Sequence, residues 1–298
     1  MKHATLIHCP GGGSANDDDL ERAKTLLSAT YQLDVKVVGE HDSVAELAHA
    51  AVREGAHVLI ASGGDGTVSA VAGAVIGDTS RTLGILPRGT ANSIGGQLGV
   101  PHDLDAACKI IADGHTRVMD TADVNGRPAL LMATIGVHAE AVTEVDPDFK
   151  KRFGALAYVI EEVDRMLANE LFDVTLEADG QRVDCKANAV TVANLAPPWT
   201  LLAQGDKVNE NDGMLDVTLV AIQGFTEAVL TSLHLATSAF REQPAARDNV
   251  GHFRTREVRI DTKPEKRVMV DGEDATQTPI TVRCLPESLR VLVPKPTS

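Results

Sequence analysis

The feature that most constrains this chain is an apolar run, Val58-Leu59-Ile60-Ala61, that leads through Ser62 into Gly63-Gly64-Asp65-Gly66-Thr67. Val68-Ser69-Ala70-Val71-Ala72 follows and reads as a helix start. A buried strand, a glycine loop and a helix N-terminus together aim backbone N–H groups and the positive end of a helix dipole at an anion. The glycines let that anion approach the main chain. Asp65 is the unusual member. A carboxylate repels a phosphate unless a divalent cation or a proton lies between them, so the loop points to a metal–nucleotide rather than a bare phosphate. The plainer reading is a tight strand-to-helix turn with Asp65 as a helix cap.

The flanking sequence sets this unit in a parallel sheet. Thr5–His8 reads as a strand ending in the loop Cys9-Pro10-Gly11-Gly12-Gly13-Ser14, and residues 17–30 show helical spacing at Leu20, Ala23, Leu26 and Leu27. Leu33–Val38 reads as a second strand. Residues 43–54 read as a second helix, with Ser43 as N-cap, Glu46 completing a capping box and Gly55 closing it. The order β-α-β-α-β-α implies a parallel, helix-covered sheet. Ligands of such sheets bind beyond the carboxyl ends of the strands. A further buried strand, Leu83–Leu86, ends in Pro87-Arg88-Gly89-Thr90-Ala91-Asn92. Thr90 and Asn92 can hydrogen-bond phosphate or ribose, and Arg88 can supply charge.

After Asp120 the pattern changes to short strands: 121–124, 130–135, 172–176, 187–192, 215–220, 256–260, 267–270 and 280–284. Asp179-Gly180 gives a hairpin signal. This is an antiparallel sandwich or barrel pattern. Residues 153–169 and 226–242 read as amphipathic helices that cover it. The 298 residues suffice for two domains, and no apolar run reaches the ~18 residues of a membrane span. Four widely separated cysteines without a CxxC pair fit a reducing cytoplasm. A net charge of −14 argues against nucleic acid and against a polybasic membrane anchor.

The glycine loop and, about twenty residues on, the Pro-x-Gly-Thr-x-Asn loop together resemble the diacylglycerol kinase catalytic domain family. That family takes in bacterial soluble lipid kinases and is related to sphingosine and ceramide kinases. Thr134–Glu140, Lys151–Tyr158, Asp212-Gly213-Met214-Leu215-Asp216-Val217 and Val270-Asp271-Gly272-Glu273 resemble its later segments in the same order. NAD kinases share the glycine loop but would next show Asn-x-Gly-x-Leu-Gly-Phe, which this chain lacks. The chain departs from the family pattern at Cys9, Ala70, Gly73 and Ser93.

The resemblance implies an α/β nucleotide-binding domain (1–122, joined by 286–298), a β-sandwich acceptor domain (123–285) and a cleft between them. It implies an ATP- and Mg²⁺-dependent kinase that phosphorylates a hydroxyl of a diacylglycerol-like or sphingoid-like lipid. ATP would be held by Gly63, Gly64, Asp65, Gly66, Thr67, Val68, Ser69, Gly89, Thr90 and Asn92, with Gly11 and Gly12 from the first loop. Asp65 would link to Mg²⁺. Glu273 would accept the acceptor's proton with Asp271 as its partner, on the reading that alternate strand residues share a face. A second metal ion would sit on Asn209, Asp212 and Met214. The expected protein is cytoplasmic, touches its lipid substrate transiently at a membrane surface, and is compatible with a homodimer. The alternatives are a catalytically degenerate nucleotide-binding regulator of the same fold and an NAD kinase-like small-molecule kinase.

Overall fold

The computed structural model describes residues 1–10, 17–136, 171–195, 211–221 and 250–295. Gly11, Gly12, Asn209 and the two amphipathic segments 153–169 and 226–242 lie outside them. The chain forms two compact units, Met1–Thr121 with Leu285–Ser298, and Ala122–Cys284.

In the first unit, β1 (Lys2–His8), β2 (Tyr31–Val37), β3 (Val58–Gly63) and β4 (Thr82–Pro87) pair in the order β2-β1-β3-β4. All three pairings are parallel. Every residue of β3 and β4 is buried. That explains their unbroken apolar character, since a central parallel strand is covered on both faces. Leu59, Leu83 and Leu86 are fully enclosed, and burying such a side chain stabilises the fold by about 1.5–3 kcal/mol.

The crossovers are α1 (Asp17–Ser28), α2 (Val44–Arg53) and α3 (Asp65–Gly73). Ser43 caps α2 by accepting the Glu46 N–H at 3.4 Å. Helix α4 (Ser93–Gln97) follows β4. Helix α5 (Leu104–Asp113), which the sequence reading passed over, starts at an Asp103 cap that accepts the Ala106 N–H at 2.9 Å and ends at Gly114 in the left-handed region. It buries Leu104, Ala107, Cys108 and Ile111. Burial pushes the Cys108 thiol up to about 11.

The second unit is a sandwich of antiparallel strands around one core. One layer contains β8 (Phe172–Ala178) between β9 (Gln181–Ala187) and β13 (Glu257–Lys263), with the first residues of β16 (Ile280–Leu292) beyond β13. The other runs β12 (Val250–Thr255), β11 (Leu215–Val220), β10 (Ala189–Ala193), β7 (Met132–Ile135), β14 (Arg267–Val270), β15 (Glu273–Gln277). Strands β5 (Thr116–Val124) and β6 (Arg127–Ala129) form a hairpin beside them. Alternate residues face the core: Phe172, Val174 and Leu176 of β8, Val258 and Ile260 of β13, Val190 and Val192 of β10. Asp179 and Gly180 both have positive φ and turn β8 into β9. Strand β9 escaped the sequence reading because four of its first residues, Gln181–Asp184, are exposed and show no alternation. The far end of β16 belongs to the first unit, where Val291 pairs in parallel with Leu83.

Candidate active site

The order β2-β1-β3-β4 reverses direction between β1 and β3, and parallel sheets bind ligands at such a switch point. There the carboxyl ends of the two strands are tied together. His8 Nδ1 and the Ser62 hydroxyl are hydrogen-bonded at 3.0 Å in a buried position, and the Cys9 N–H donates to the Ser62 carbonyl at 2.9 Å. Cys9 is half-buried. Ser62 escaped the sequence reading, although its place directly before the glycine loop could have flagged it.

The two polar loops leave β3 and β4 side by side. Gly63 stands opposite Pro87, and the Arg88 N–H donates to the Gly63 carbonyl at 2.9 Å. At the next step the backbones touch. A Cβ on Gly89 would overlap the Cα of Gly64, and one on Gly64 would lie 3.3 Å from the Cα of Gly89. Only glycine permits this approach. The Thr67 side chain fills the space a Cβ on Gly63 would need. Helix α3 begins directly at Asp65, with Gly64 as an N-cap that offers no side-chain acceptor. The first N–H groups of a helix have no intrahelical carbonyl, so this end is electropositive and open to an anion. Gly66 and Thr67 lie in this first turn and are partly accessible, whereas Val68 is buried and its N–H is already given to the Gly64 carbonyl at 3.0 Å. Ser69 lies one residue further along the helix.

Asp65 makes contacts that the sequence did not reveal. Its two carboxylate oxygens accept the N–H groups of Ser93 and Ile94, each at 2.9 Å. It therefore caps α4, a helix that starts 28 residues away, rather than its own. Asn92 likewise closes its own loop. Its side-chain oxygen accepts the Gly89 N–H and its amide donates to the Gly89 carbonyl, both at 2.7 Å, with His102 Nδ1 3.2 Å from the same amide. Asn92 sits in the left-handed region at φ 49°, which asparagine tolerates better than most residues. The Arg88 guanidinium is buried, bonded to Asp19 at 3.1 Å and to the His102 carbonyl. Arg88 and Asn92 therefore shape the loop from within, which corrects the expectation that they reach for phosphate. Thr90 is exposed and keeps that capacity. His102 could not have been found from the sequence, because a lone histidine in a connection carries no signal of what folds against it.

In the second unit, Asp271 and Gly272 are the two turn residues of the β14–β15 hairpin, both at positive φ, with Val270 opposite Glu273. The expectation that Asp271 and Glu273 share a strand face is corrected accordingly. Asp271 faces inward, where its carboxylate accepts three N–H groups: Leu130 at 2.9 Å, Leu131 at 2.8 Å and Met132 at 3.1 Å. Glu273 opens the next strand and faces outward, its carboxylate 2.8 Å from Arg127. Both side chains are well exposed, at 58% and 40%. A pair this exposed holds its partners weakly, so Glu273 is free to exchange them.

The segment Asp212–Asp216 leads into β11. Asp212 Oδ1 accepts the Met214 N–H at 3.0 Å, and its Oδ2 meets the Arg254 guanidinium. Asp216, largely buried, lies 3.0 Å from His252 Nε2. Among the described residues no group of three or more His, Cys, Asp or Glu side chains is placed to hold a metal ion. Among them, too, no helix is long and apolar enough to cross a membrane.

Residues 3–124 match the family model described as diacylglycerol kinase catalytic domain, and residues 132–293 match the YegS C-terminal NAD kinase beta sandwich-like domain. A relative in Synechocystis, the protein sll0036, is 36% identical over 98% of this chain and 70% of its own length. A protein of Citrobacter koseri named probable lipid kinase YegS-like is 27% identical over 98% of this chain and 96% of its own. The Bacillus subtilis protein named diacylglycerol kinase is 27% identical over 83% of this chain and 80% of its own. The crystal structure of a diacylglycerol kinase from Bacillus anthracis superposes with a TM-score of 0.79 over 98% of this chain and 97% of that one, at 24% identity. That likeness speaks for the fold.

Proposed function

The chain belongs to the diacylglycerol kinase catalytic domain family, and from that premise we propose that it is a lipid kinase. It would transfer the γ-phosphate of ATP to a hydroxyl of a diacylglycerol-like or sphingoid-like lipid. The observation that carries the reading is the backbone contact of the Gly64 and Gly89 loops, beside the uncapped start of α3. Phosphoryl transfer asks a protein mainly for positioning and charge neutralisation. The first-turn N–H groups of α3 and the Thr90 hydroxyl would hold the phosphates. Gly11 and Gly12, which the resemblance adds to this set, lie outside the described residues. Asp65, by fixing α4 to the start of α3, keeps the two loops in one geometry. Each of its oxygens retains a second acceptor site, so it fits a magnesium–nucleotide nearby. Mg²⁺ would supply the charge neutralisation that the phosphates require.

On the acceptor side Glu273 is the better candidate for the base. Its carboxylate is exposed and weakly paired, whereas that of Asp271 is spent on three N–H groups. Asp271 then acts as a positioning residue that fixes the hairpin presenting Glu273. We place the protein in the cytoplasm, touching membranes only while its lipid is engaged. The reading is tested by transfer of labelled γ-phosphate from ATP to a panel of diacylglycerols, sphingoid bases and other hydroxylated lipids in mixed micelles. Incorporation into one lipid class, dependent on Mg²⁺, supports it. ATP binding without transfer to any lipid would favour the degenerate regulator.

A further inference from the structure

The resemblance implied a metal ion on Asp212, and the described residues there do not fit one. A divalent cation is repelled by a guanidinium already paired with the carboxylate it would bind. Of the two Asp212 oxygens, one accepts the Met214 N–H and the other is met by the Arg254 guanidinium. The position is set by sheet register. Asp216 of β11 stands directly opposite Arg254 of β12, and His252 lies two residues further along β12 on the same face. Arg254 Nε is 3.5 Å from Asp216 Oδ1, and the same oxygen lies 3.0 Å from His252 Nε2. Arg254 thus lies beside two carboxylates of the segment at once. The other Asp216 oxygen, buried, has no hydrogen-bond partner among the described residues.

We propose that Arg254 is a built-in replacement for a metal ion: its guanidinium neutralises Asp212 and Asp216 and holds the start of β11, so that this segment folds without a divalent cation. An always-protonated planar fork suits the task, because it donates to Asp212 and pairs with Asp216 from one fixed position. Removing it would leave both carboxylates without the cation they share, one of them largely buried. That is the arrangement that attracts a divalent cation.

The test uses the full-length protein without nucleotide, and thermal unfolding as the readout, so that no arm depends on kinase activity. The wild-type midpoint is expected to be the same in EDTA and in excess Mg²⁺. Arg254→Met in EDTA should melt about 2–4 °C lower. Mg²⁺ should restore it saturably, Na⁺ at equal ionic strength should not, and adding Asp212→Asn should abolish the response. Arg254→Lys should stay independent of Mg²⁺. A wild-type midpoint that falls in EDTA and returns with Mg²⁺ overturns the proposal, as does an Arg254→Met protein that ignores Mg²⁺. If Arg254→Met does not fold, the wild-type and Arg254→Lys arms decide in the same sense.

Discussion

A methyl group on Gly89 would overlap the Cα of Gly64, so the two loops that leave β3 and β4 are in direct main-chain contact. Their relative position is fixed by backbone rather than by side chains that could adjust. Gly89→Ala should therefore lower stability by about 1–3 kcal/mol, as overpacking does, and weaken nucleotide binding along with it. Gly64→Ala, whose added Cβ would meet the Gly89 Cα at 3.3 Å, should be milder. Chemical denaturation and ATP titration of the two variants give the comparison. Equal behaviour of both would mean that the contact does not control the site.

Asp65→Ala should cost both turnover and stability. The sequence shows no packing role for Asp65 and so gives no reason for a loss of stability. The Ser93 and Ile94 N–H groups change that: losing a helix cap costs about 0.5–2 kcal/mol. Asp65→Asn, which keeps one acceptor oxygen, should recover part of the stability but not the turnover. An Asp65→Ala protein with a wild-type denaturation midpoint would dismiss the cap.

Cys9 reports on the crevice at the β1–β3 switch point. MgATP should slow its alkylation by iodoacetamide, because bound nucleotide would cover the carboxyl end of β1. Cys185 is half-buried on β9 in the other unit and serves as an internal control. Cys108 is buried with its thiol pushed up to about 11, and should stay unmodified at pH 8 in the folded protein. Peptide mass mapping after timed labelling reads all three. Protection of Cys9 and Cys185 alike, or of neither, would move the nucleotide elsewhere.

Glu273 and Asp271 should separate chemistry from structure. Glu273→Gln should lower kcat by about 10²–10⁴, the usual range for a general base, with an unchanged melting midpoint. Asp271→Ala should destabilise by at least about 2 kcal/mol, since three N–H groups lose their acceptor and alanine is strained at φ 51°. Asp271→Asn should sit between, because asparagine tolerates the left-handed region. If Asp271→Asn stops turnover at full stability while Glu273→Gln retains it, the two roles are exchanged.

The sequence by itself determined the parallel α/β unit, the short-stranded second unit and the family. Each of these rests on signals a few residues long: β3 and β4 as unbroken apolar runs, glycines at 63, 64 and 89, and Asp179-Gly180 as a positive-φ turn. Such signals are local because burial on both faces, close backbone approach and φ > 0 each restrict the residue type at the position itself. What only the tertiary structure decided is the direction in which each polar side chain works. Asp65 ties the start of α4 to the start of α3, Arg88 and Asn92 are consumed with His102 in holding their loop, and Asp271 turns inward while Glu273 turns out. Arg254 meets Asp212 from 42 residues away. Those partners are set by sheet register and helix placement between segments remote in the chain. A carboxylate or guanidinium reads the same in sequence whether it ends on a ligand or on a neighbouring backbone N–H.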